Sequence, residues 1–221
     1  MKQTDTKQKI IHKALELFSD RGYDAVSVGE IAAAVGIRAP SIYNHFPSKH
    51  AIFDAIVEAT AAQYEMDTDR IDIHVQDARR DIAIFAHITE DALFAKVRQI
   101  FEYSLHNEPI RRFRRMMTIE QFRSPELARL YSVRYVERIA AYHADIFRSL
   151  IAAGAIRNED PEALAMLYAA PIIALIGVCD REPAREAECL EKLQAHVRLF
   201  FRMVQSDGAA RRTSEGSEIQ S

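Results

Sequence analysis

The chain of 221 residues carries 29 lysines and arginines against 32 aspartates and glutamates, so any nucleic-acid site must be local rather than spread over a basic surface. Hydrophobic residues make up 48% and charged residues 28%, a globular composition that excludes disorder throughout. Glycine and proline number only seven each, which leaves few turns and argues against an all-β sandwich. We therefore expect an all-α protein.

Helix signals recur along the chain. Apolar spacing from Ile10 to Phe18 predicts a first helix over residues 6–21, which Gly22 ends. Ser27 and Glu30 have the spacing of a capping box, and the free amides of that helix start also favour a phosphate. Further N-cap signals lie at Ser48, Thr89, Ser124 and Asp160. Later helices are predicted at 49–63, 90–106, 109–121, 125–153, 161–177 and 186–205, and the charged segment 67–80 is left unassigned.

These signals predict three parts. Residues 1–47 form a short-helix domain, residues 48–205 form a long-helix domain, and residues 206–221 are small and polar and are predicted to be a disordered tail. Residues 1–50 hold seven basic and five acidic side chains, whereas 51–205 hold 20 basic and 24 acidic ones. The first part is therefore the better candidate for an anionic partner.

Residues 27–49 predict a helix-turn-helix, in which two short helices are separated by a tight turn at Gly36. Ile31, Ile42 and Phe46 have the spacing of inward-facing side chains that hold the helices together. The surface positions of the second helix carry short hydrogen-bonding or aromatic groups. None of them is acidic, and an acidic side chain there would repel phosphate. A helical hairpin that only packs is the alternative interpretation.

A DNA major groove admits one helix, and the surface of this second helix suits that position. Arg38 can pair with a guanine edge, and Asn44 with an adenine edge or a phosphate. Tyr43, His45 and Lys49 would bind phosphates, which fixes the register but reads no base.

This N-terminal region resembles the tetracycline-repressor (TetR) family of bacterial transcription regulators. The resemblance is carried by Ile10 through Phe18, Gly22, Ser27-Val28, Ile31-Ala32, Val35-Gly36-Ile37, Ile42-Tyr43, His45-Phe46 and Ser48-Lys49. It departs from the family pattern at Arg38, where a capping Ser or Thr is common, and at Ala51, where a Glu often completes a capping box. By resemblance, the residues expected to contact DNA are Ser27, Ala39, Ser41, Tyr43, His45 and Lys49.

The resemblance also implies an architecture and a function. The expected fold is an N-terminal three-helix DNA-binding domain followed by a larger helical domain for ligand binding and dimerisation. The expected function is that of a one-component bacterial regulator, most often a repressor, which binds a palindromic operator in double-stranded DNA as a homodimer. A small, largely apolar effector would then release the DNA.

Two apolar seams in the last helices predict a dimer surface, because helices with such spacing pack against other helices and two from each subunit would form a four-helix bundle. The alternative is that either seam belongs to the internal core of one chain. The predicted interface residues are Leu164, Tyr168, Ile172, Leu175, Leu190, Leu193, Val197, Phe200 and Val204.

The middle helices are rich in Phe, Tyr and Met with polar groups in the same turns, which is how small ligands are often held. Plain core is the alternative. We expect an apolar or aromatic effector with one polar or anionic handle. The predicted ligand-binding residues are Phe94, Phe101, Tyr103, His106, Met117, Glu120, Tyr135, Tyr142 and Tyr168.

The sequence offers nothing for catalysis, a cofactor or a metal: HExxH, GxSxG and GxxxxGKS patterns are absent and the eight histidines are scattered. The cysteines Cys179 and Cys189 lack any CxxC pattern, and the polar N-terminus lacks the apolar core of a secretory signal, so we expect a cytoplasmic protein. The uncharged stretch 163–179 is interrupted by Pro171 and is predicted to be a buried helix rather than a membrane span. A helical interaction module that no longer binds DNA remains the competing hypothesis.

Overall fold

The computed structural model describes residues 2–70, 73–74, 78–123 and 125–205, and within these ranges it is helical with no strand beyond one isolated bridge between Ile156 and Gln205. The predicted all-α class is confirmed. Its helices are α1 (Lys2–Arg21), α2 (Val28–Val35), α3 (Ala39–Ile42), α4 (Lys49–Asp69), α5 (Ala78–Phe85), α6 (Glu90–His106), α7 (Glu108–Glu120), α8 (Pro125–Ser132), α9 (Arg138–Ala152), α10 (Pro161–Arg181) and α11 (Glu186–Val204). A π-helical turn, Val133–Glu137, joins α8 to α9, and a 3₁₀ turn, Pro183–Arg185, precedes α11.

The predicted helix starts are formed by local side-chain hydrogen bonds. The hydroxyl of Ser48 accepts the Ala51 amide at 3.0 Å, and that of Thr89 accepts the Ala92 amide at 3.2 Å. Asp160 accepts two amides of the first turn of α10, with Pro161 in the position where its missing N–H costs nothing. The predicted cap at Ser124 and the predicted disorder of 206–221 lie outside the described residues.

The helix ends also agree with the glycine signals. Gly22 has φ 84° and Gly36 has φ 80°, both left-handed conformations that favour glycine over residues with a Cβ. Helix α10 runs past Gly177, its predicted end, to Arg181 and contains Pro171. Helix α5 begins at Ala78 in the unassigned charged segment and extends beyond it to Phe85.

The chain divides into two compact units. The first comprises residues up to Asp67 together with Leu105–Val133, and the second comprises Thr68–Ser104 together with the described residues from Arg134 onward. The sequence-based boundary between residues 47 and 48 differs from this division, because α7 packs along α1 and thereby joins the N-terminal helices.

Each unit has its own apolar core. In the first unit, Ile10, Phe18 and Phe113 are fully or almost fully buried. In the second unit, α9, α10 and α11 pack on one another, and α5 packs on α9. Leu193 and Val197 of α11 have no exposed surface at all.

Helix Pro161–Arg181 is, within the described part of the chain, the one helix long and apolar enough to cross a membrane by length and composition. A core helix of a soluble protein passes the same test. Its Leu164 and Tyr168 are buried within the chain, whereas Met166 and Leu167 are about half exposed, 48% and 55%. The prediction of a buried helix therefore holds for one face of α10 only.

Candidate functional site

The helix-turn-helix has the predicted internal packing. The left-handed turn at Gly36 separates α2 from α3, and Ile31 and Ile42 are fully buried between them. After α3, the amides of His45 and Phe46 both bond to the carbonyl of Ile42 at 2.9 Å, which continues the helical turn. The apolar side chains are thus used for packing.

The outer surface of α3 and the turn after it presents polar and aromatic groups. Arg38 is the N-cap residue of α3, yet its side chain makes no capping bond, and it is exposed together with Asn44. Tyr43 is 56% exposed although it is aromatic. Ala39, Ser41 and His45, also predicted to contact DNA, are half-buried. No acidic residue occurs between Glu30 and Asp54 in the sequence, so this surface does not repel phosphate through its own carboxylates.

Ser27 forms the predicted capping box with Glu30. Its hydroxyl accepts the Glu30 amide at 3.2 Å and donates to the Glu30 carboxylate, which also accepts the Ser27 amide, both at 2.8 Å. With the Arg21 guanidinium 2.7 Å away, these donors lower the pKa of Glu30 to about 2. The Ser27 side chain is therefore used within the fold, and its contact to a phosphate stays a prediction.

Lys49 is bound to the protein itself. Its ammonium donates to the carbonyls of Tyr23 and Val26 at 2.8 and 3.0 Å and lies 4.1 Å from the centre of the Tyr23 ring. Two of the three ammonium donors are thereby taken, and the contact of Lys49 to a DNA phosphate stays a prediction. Lys49, the first residue of α4, thereby contacts the loop between α1 and α2 and stabilises its position.

The same loop is held from α7 by Glu120. The Glu120 carboxylate is 1% exposed and accepts the Tyr23 amide at 2.9 Å, with Arg123 pairing to it at 3.3 Å. Glu120 thus satisfies a backbone donor of the helix-turn-helix unit, and its predicted role in ligand binding finds no support in this geometry. The sequence feature that could have indicated this role is the acidic residue Glu120 close to the apolar Met116 and Met117.

A cavity of about 210 Å³ lies in the second unit, lined by residues of α5, α6, α9, α10 and α11 and of the segments that follow them. Its wall is mainly apolar, with Phe147, Leu150 and Phe200 among the contributors. The polar lining residues are His143, Tyr168 and Gln205, and within the described part of the chain the lining includes no lysine, arginine, aspartate or glutamate.

Of the nine predicted ligand-binding residues, only Tyr168 lines this cavity. Phe101 and Met117 are fully buried core side chains, and the hydroxyl of Tyr142 donates to the buried Asp81. Four others are half-buried or exposed elsewhere and do not line the cavity: Phe94, Tyr103, His106 and Tyr135. The density of aromatic residues therefore did not locate the cavity.

Two polar side chains of the cavity have defined surroundings. The Nδ1–H of His143 donates to the Ile139 carbonyl at 2.8 Å, and the ring lies 4.8 Å from the ring of Tyr168. Burial lowers the pKa of His143 to about 4, so the imidazole is neutral near neutral pH. Burial also raises the pKa of Tyr168, which keeps its hydroxyl protonated.

The predicted dimer residues fall into two groups. Six are buried within the single chain and form its own core, which corrects their assignment to a subunit interface: Leu164, Tyr168, Leu193, Val197, Phe200 and Val204. Ile172, Leu175 and Leu190 are half-buried. Apolar side chains that are 42–62% exposed lie on other faces of the same helices, namely Met166, Leu167, Leu199 and Met203.

Two family models match the chain. Residues 10–56 match the bacterial regulatory proteins of the tetR family, and residues 91–203, half of the chain, match the C-terminal domain of AefR-like transcriptional repressors. A negative regulator of the biofilm operon, IcaR of Staphylococcus aureus, is 44% identical over 52 residues, which are 24% of this chain and 28% of IcaR. The regulator AcrR of Shigella flexneri is 44% identical over 54 residues, 24% of this chain and 25% of AcrR. The match therefore spans about a quarter of these relatives.

Solved structures share the fold over nearly the whole chain. A TetR-family regulator of Mesorhizobium loti superposes with a TM-score of 0.69 at 23% identity, covering 93% of this chain and 100% of the other. SmeT, a repressor of a multidrug efflux pump of Stenotrophomonas maltophilia, gives 0.66 at 20% identity in its complex with triclosan, covering 92% and 93%. Members of this family are transcription regulators and not enzymes. The chain belongs to the TetR family of bacterial transcriptional regulators.

Proposed function

We propose that this regulator is a cytoplasmic repressor that binds a near-palindromic operator as a homodimer. The surface of α3 and the turn after it would enter the major groove, with Arg38 and Asn44 at base edges and Tyr43 at a phosphate. The observation that carries the proposal is the exposure of these three side chains on a helix-turn-helix whose Ile31, Ile42 and Phe46 are buried. IcaR, a negative regulator by its name, supports repression.

Two arguments support dimerisation, the spacing of DNA grooves and the exposed apolar surface of α10 and α11. One helix-turn-helix reaches about one half-site, and successive major grooves lie roughly 34 Å apart, so stable binding calls for two copies. Leu199 is 62% exposed and Met203 42% exposed on α11, and Leu167 is 55% exposed on α10. We propose that a second copy of the chain covers this surface. A lipid environment is disfavoured because the exposed Arg198 and Arg202 lie next to these apolar residues, and charged side chains are costly in lipid.

The cavity of the second unit is the proposed effector site. It is mainly apolar with a few polar groups, the arrangement that usually holds small ligands. SmeT was solved with triclosan, and a fold neighbour from Saccharomonospora viridis was solved with choline, which supports a ligand in this fold. The effector would weaken operator binding only by its differential affinity for the free and DNA-bound states.

Selection of bound duplexes from a random DNA pool tests this function. We expect the selected sequences to show two-fold symmetry with half-sites about one helical turn, or a multiple of it, apart. Recovery of unrelated sequences with no common half-site would support a helical interaction module instead. Native mass spectrometry of the recovered complex should give two chains per duplex.

A further inference from the structure

Two polar groups of the cavity have no hydrogen-bond partner among the described residues. The hydroxyl of Tyr168 makes no such bond, although the residue is only 5% exposed. His143 uses Nδ1–H for the Ile139 carbonyl, which makes Nε2 of the neutral ring a free acceptor. No buried polar side-chain atom in the described structure is without a partner, so both groups must retain access to open space.

Both residues line the same cavity, where their rings lie 4.8 Å apart. A bound hydroxyl that reached both groups would donate to Nε2 of His143 and accept from the hydroxyl of Tyr168. Gln205 is the remaining polar lining residue, and it lies next to Val204 at the end of α11.

The size and charge of the cavity restrict the ligand further. A cavity of roughly 150 Å³ holds one benzene ring, so the 210 Å³ found here suits one ring with a short substituent. None of the described residues that line the wall is cationic, and desolvating a carboxylate without a cation is costly. The lack of a lining acid likewise disfavours an ammonium group.

We propose that the cavity binds small neutral hydroxyl compounds with an apolar, one-ring body, the hydroxyl lying between Nε2 of His143 and the hydroxyl of Tyr168. This inference rests on the proposed effector site and deepens it. Of the polar or anionic handle expected from the sequence, it selects a polar and neutral one.

Calorimetry on the full chain tests this with three probes of one shape. Para-ethylphenol carries the hydroxyl, para-ethyltoluene replaces it with a methyl group, and para-ethylbenzoate adds a charge. We expect the phenol to bind about three- to tenfold more tightly than the toluene, the factor of one net hydrogen bond or slightly more. The benzoate should bind more weakly than either. Equal affinities, a preference for the benzoate, or no measurable binding of the phenol would overturn the proposal.

Tyr168→Phe is the diagnostic variant, because it removes the hydroxyl and keeps the ring. It should reduce the preference for phenol over toluene by about threefold or more while leaving toluene affinity unchanged. Tyr131→Phe removes a hydroxyl outside the cavity and should behave as wild type. If Tyr168→Phe unfolds, His143→Leu, which removes the Nε2 acceptor, is measured in its place, and an unchanged preference in the folded variant contradicts the proposal.

These measurements contain no DNA, so they test the ligand class separately from the proposed regulatory function. If phenol binding fails but operator selection succeeds, only the ligand class is overturned. If operator selection fails but the phenol preference is observed, only the regulatory function is overturned.

Discussion

The buried carboxylate of Glu120 accepts the backbone N–H of Tyr23 at 2.9 Å, across 97 residues of sequence. The carbonyl of the same Tyr23 accepts the ammonium of Lys49 at 2.8 Å. The loop that precedes the helix-turn-helix is therefore held at one residue by α7 and by α4. This fixes the entry of α2, whose capping box begins four residues later.

Removing the Glu120 carboxylate should destabilise the first unit. Glu120→Ala leaves the Tyr23 amide without its acceptor, and we expect the free energy of unfolding to fall by about 1–3 kcal/mol. Glu120→Gln keeps an acceptor oxygen and should lose less. Urea unfolding measures both, with Glu58→Ala, an exposed residue of α4, as the control. Equal stability of Glu120→Ala and the control would contradict the assigned role.

Acid should weaken the capping box of α2. The pKa of Glu30 is lowered from 4.5 to about 2, so its contribution to stability is fully present above pH 4.5 and is lost as the pH falls towards 2. Glu30→Gln should therefore flatten this part of the pH dependence of the urea midpoint. Glu58→Gln, on exposed surface, should leave the wild-type profile unchanged. An unaltered acid limb in Glu30→Gln would show that the capping box carries no pH-dependent stability.

Two substitutions on α11 should distinguish side chains of the chain's own core from side chains of the proposed dimer surface. Leu199→Asp alters a side chain that is 62% exposed, so it should yield folded monomers in analytical ultracentrifugation. Val197→Ala alters a fully buried one and should lower the stability of the subunit by about 1–3 kcal/mol while leaving the dimer intact. A wild-type sedimentation coefficient for Leu199→Asp would place the dimer surface elsewhere.

The buried carboxylate of Asp81 is stabilised by a hydrogen bond that the hydroxyl of Tyr142 donates. The carboxylate has no exposed surface, and its other partners are the amide of His74 at 2.8 Å and the ring Nδ1 of His74 at 2.6 Å. Tyr142→Phe removes one donor to a buried acid, and we expect a loss of about 1.5–3 kcal/mol in unfolding free energy. Tyr43→Phe, at a side chain that is 56% exposed, is the control, and an equal loss in both variants would refute the dependence.

The sequence predicted those features whose causes are local. Gly22, Gly36, Ser27 and Asp160 act through their own conformation or through amides two or three residues away, so the helix starts and ends at these residues followed from the sequence alone. The surface of the helix-turn-helix could be predicted for the same reason, since apolar spacing identifies the inward faces.

Features that depend on tertiary partners could not be predicted in this way. Asp81 and Tyr142 are 61 residues apart, so the charged pattern around Asp81 did not show that α5 is packed. The spacing of Leu193 and Val197 identifies a buried seam but does not say whether its partner belongs to the same chain or to another copy. Likewise, aromatic density does not distinguish Phe101, a core residue, from Tyr168, which lines the cavity.

The most direct test is a fluorescence anisotropy titration of a duplex selected from the random pool. We predict that the wild-type chain binds it with an affinity that falls steeply with salt, and that Tyr43→Ala with Asn44→Ala weakens binding at least tenfold without loss of helicity. Lys192→Ala, on the exposed surface of α11, should bind as wild type. Wild-type affinity in the double variant, or no binding of the wild-type chain to any duplex at low salt, would contradict the account.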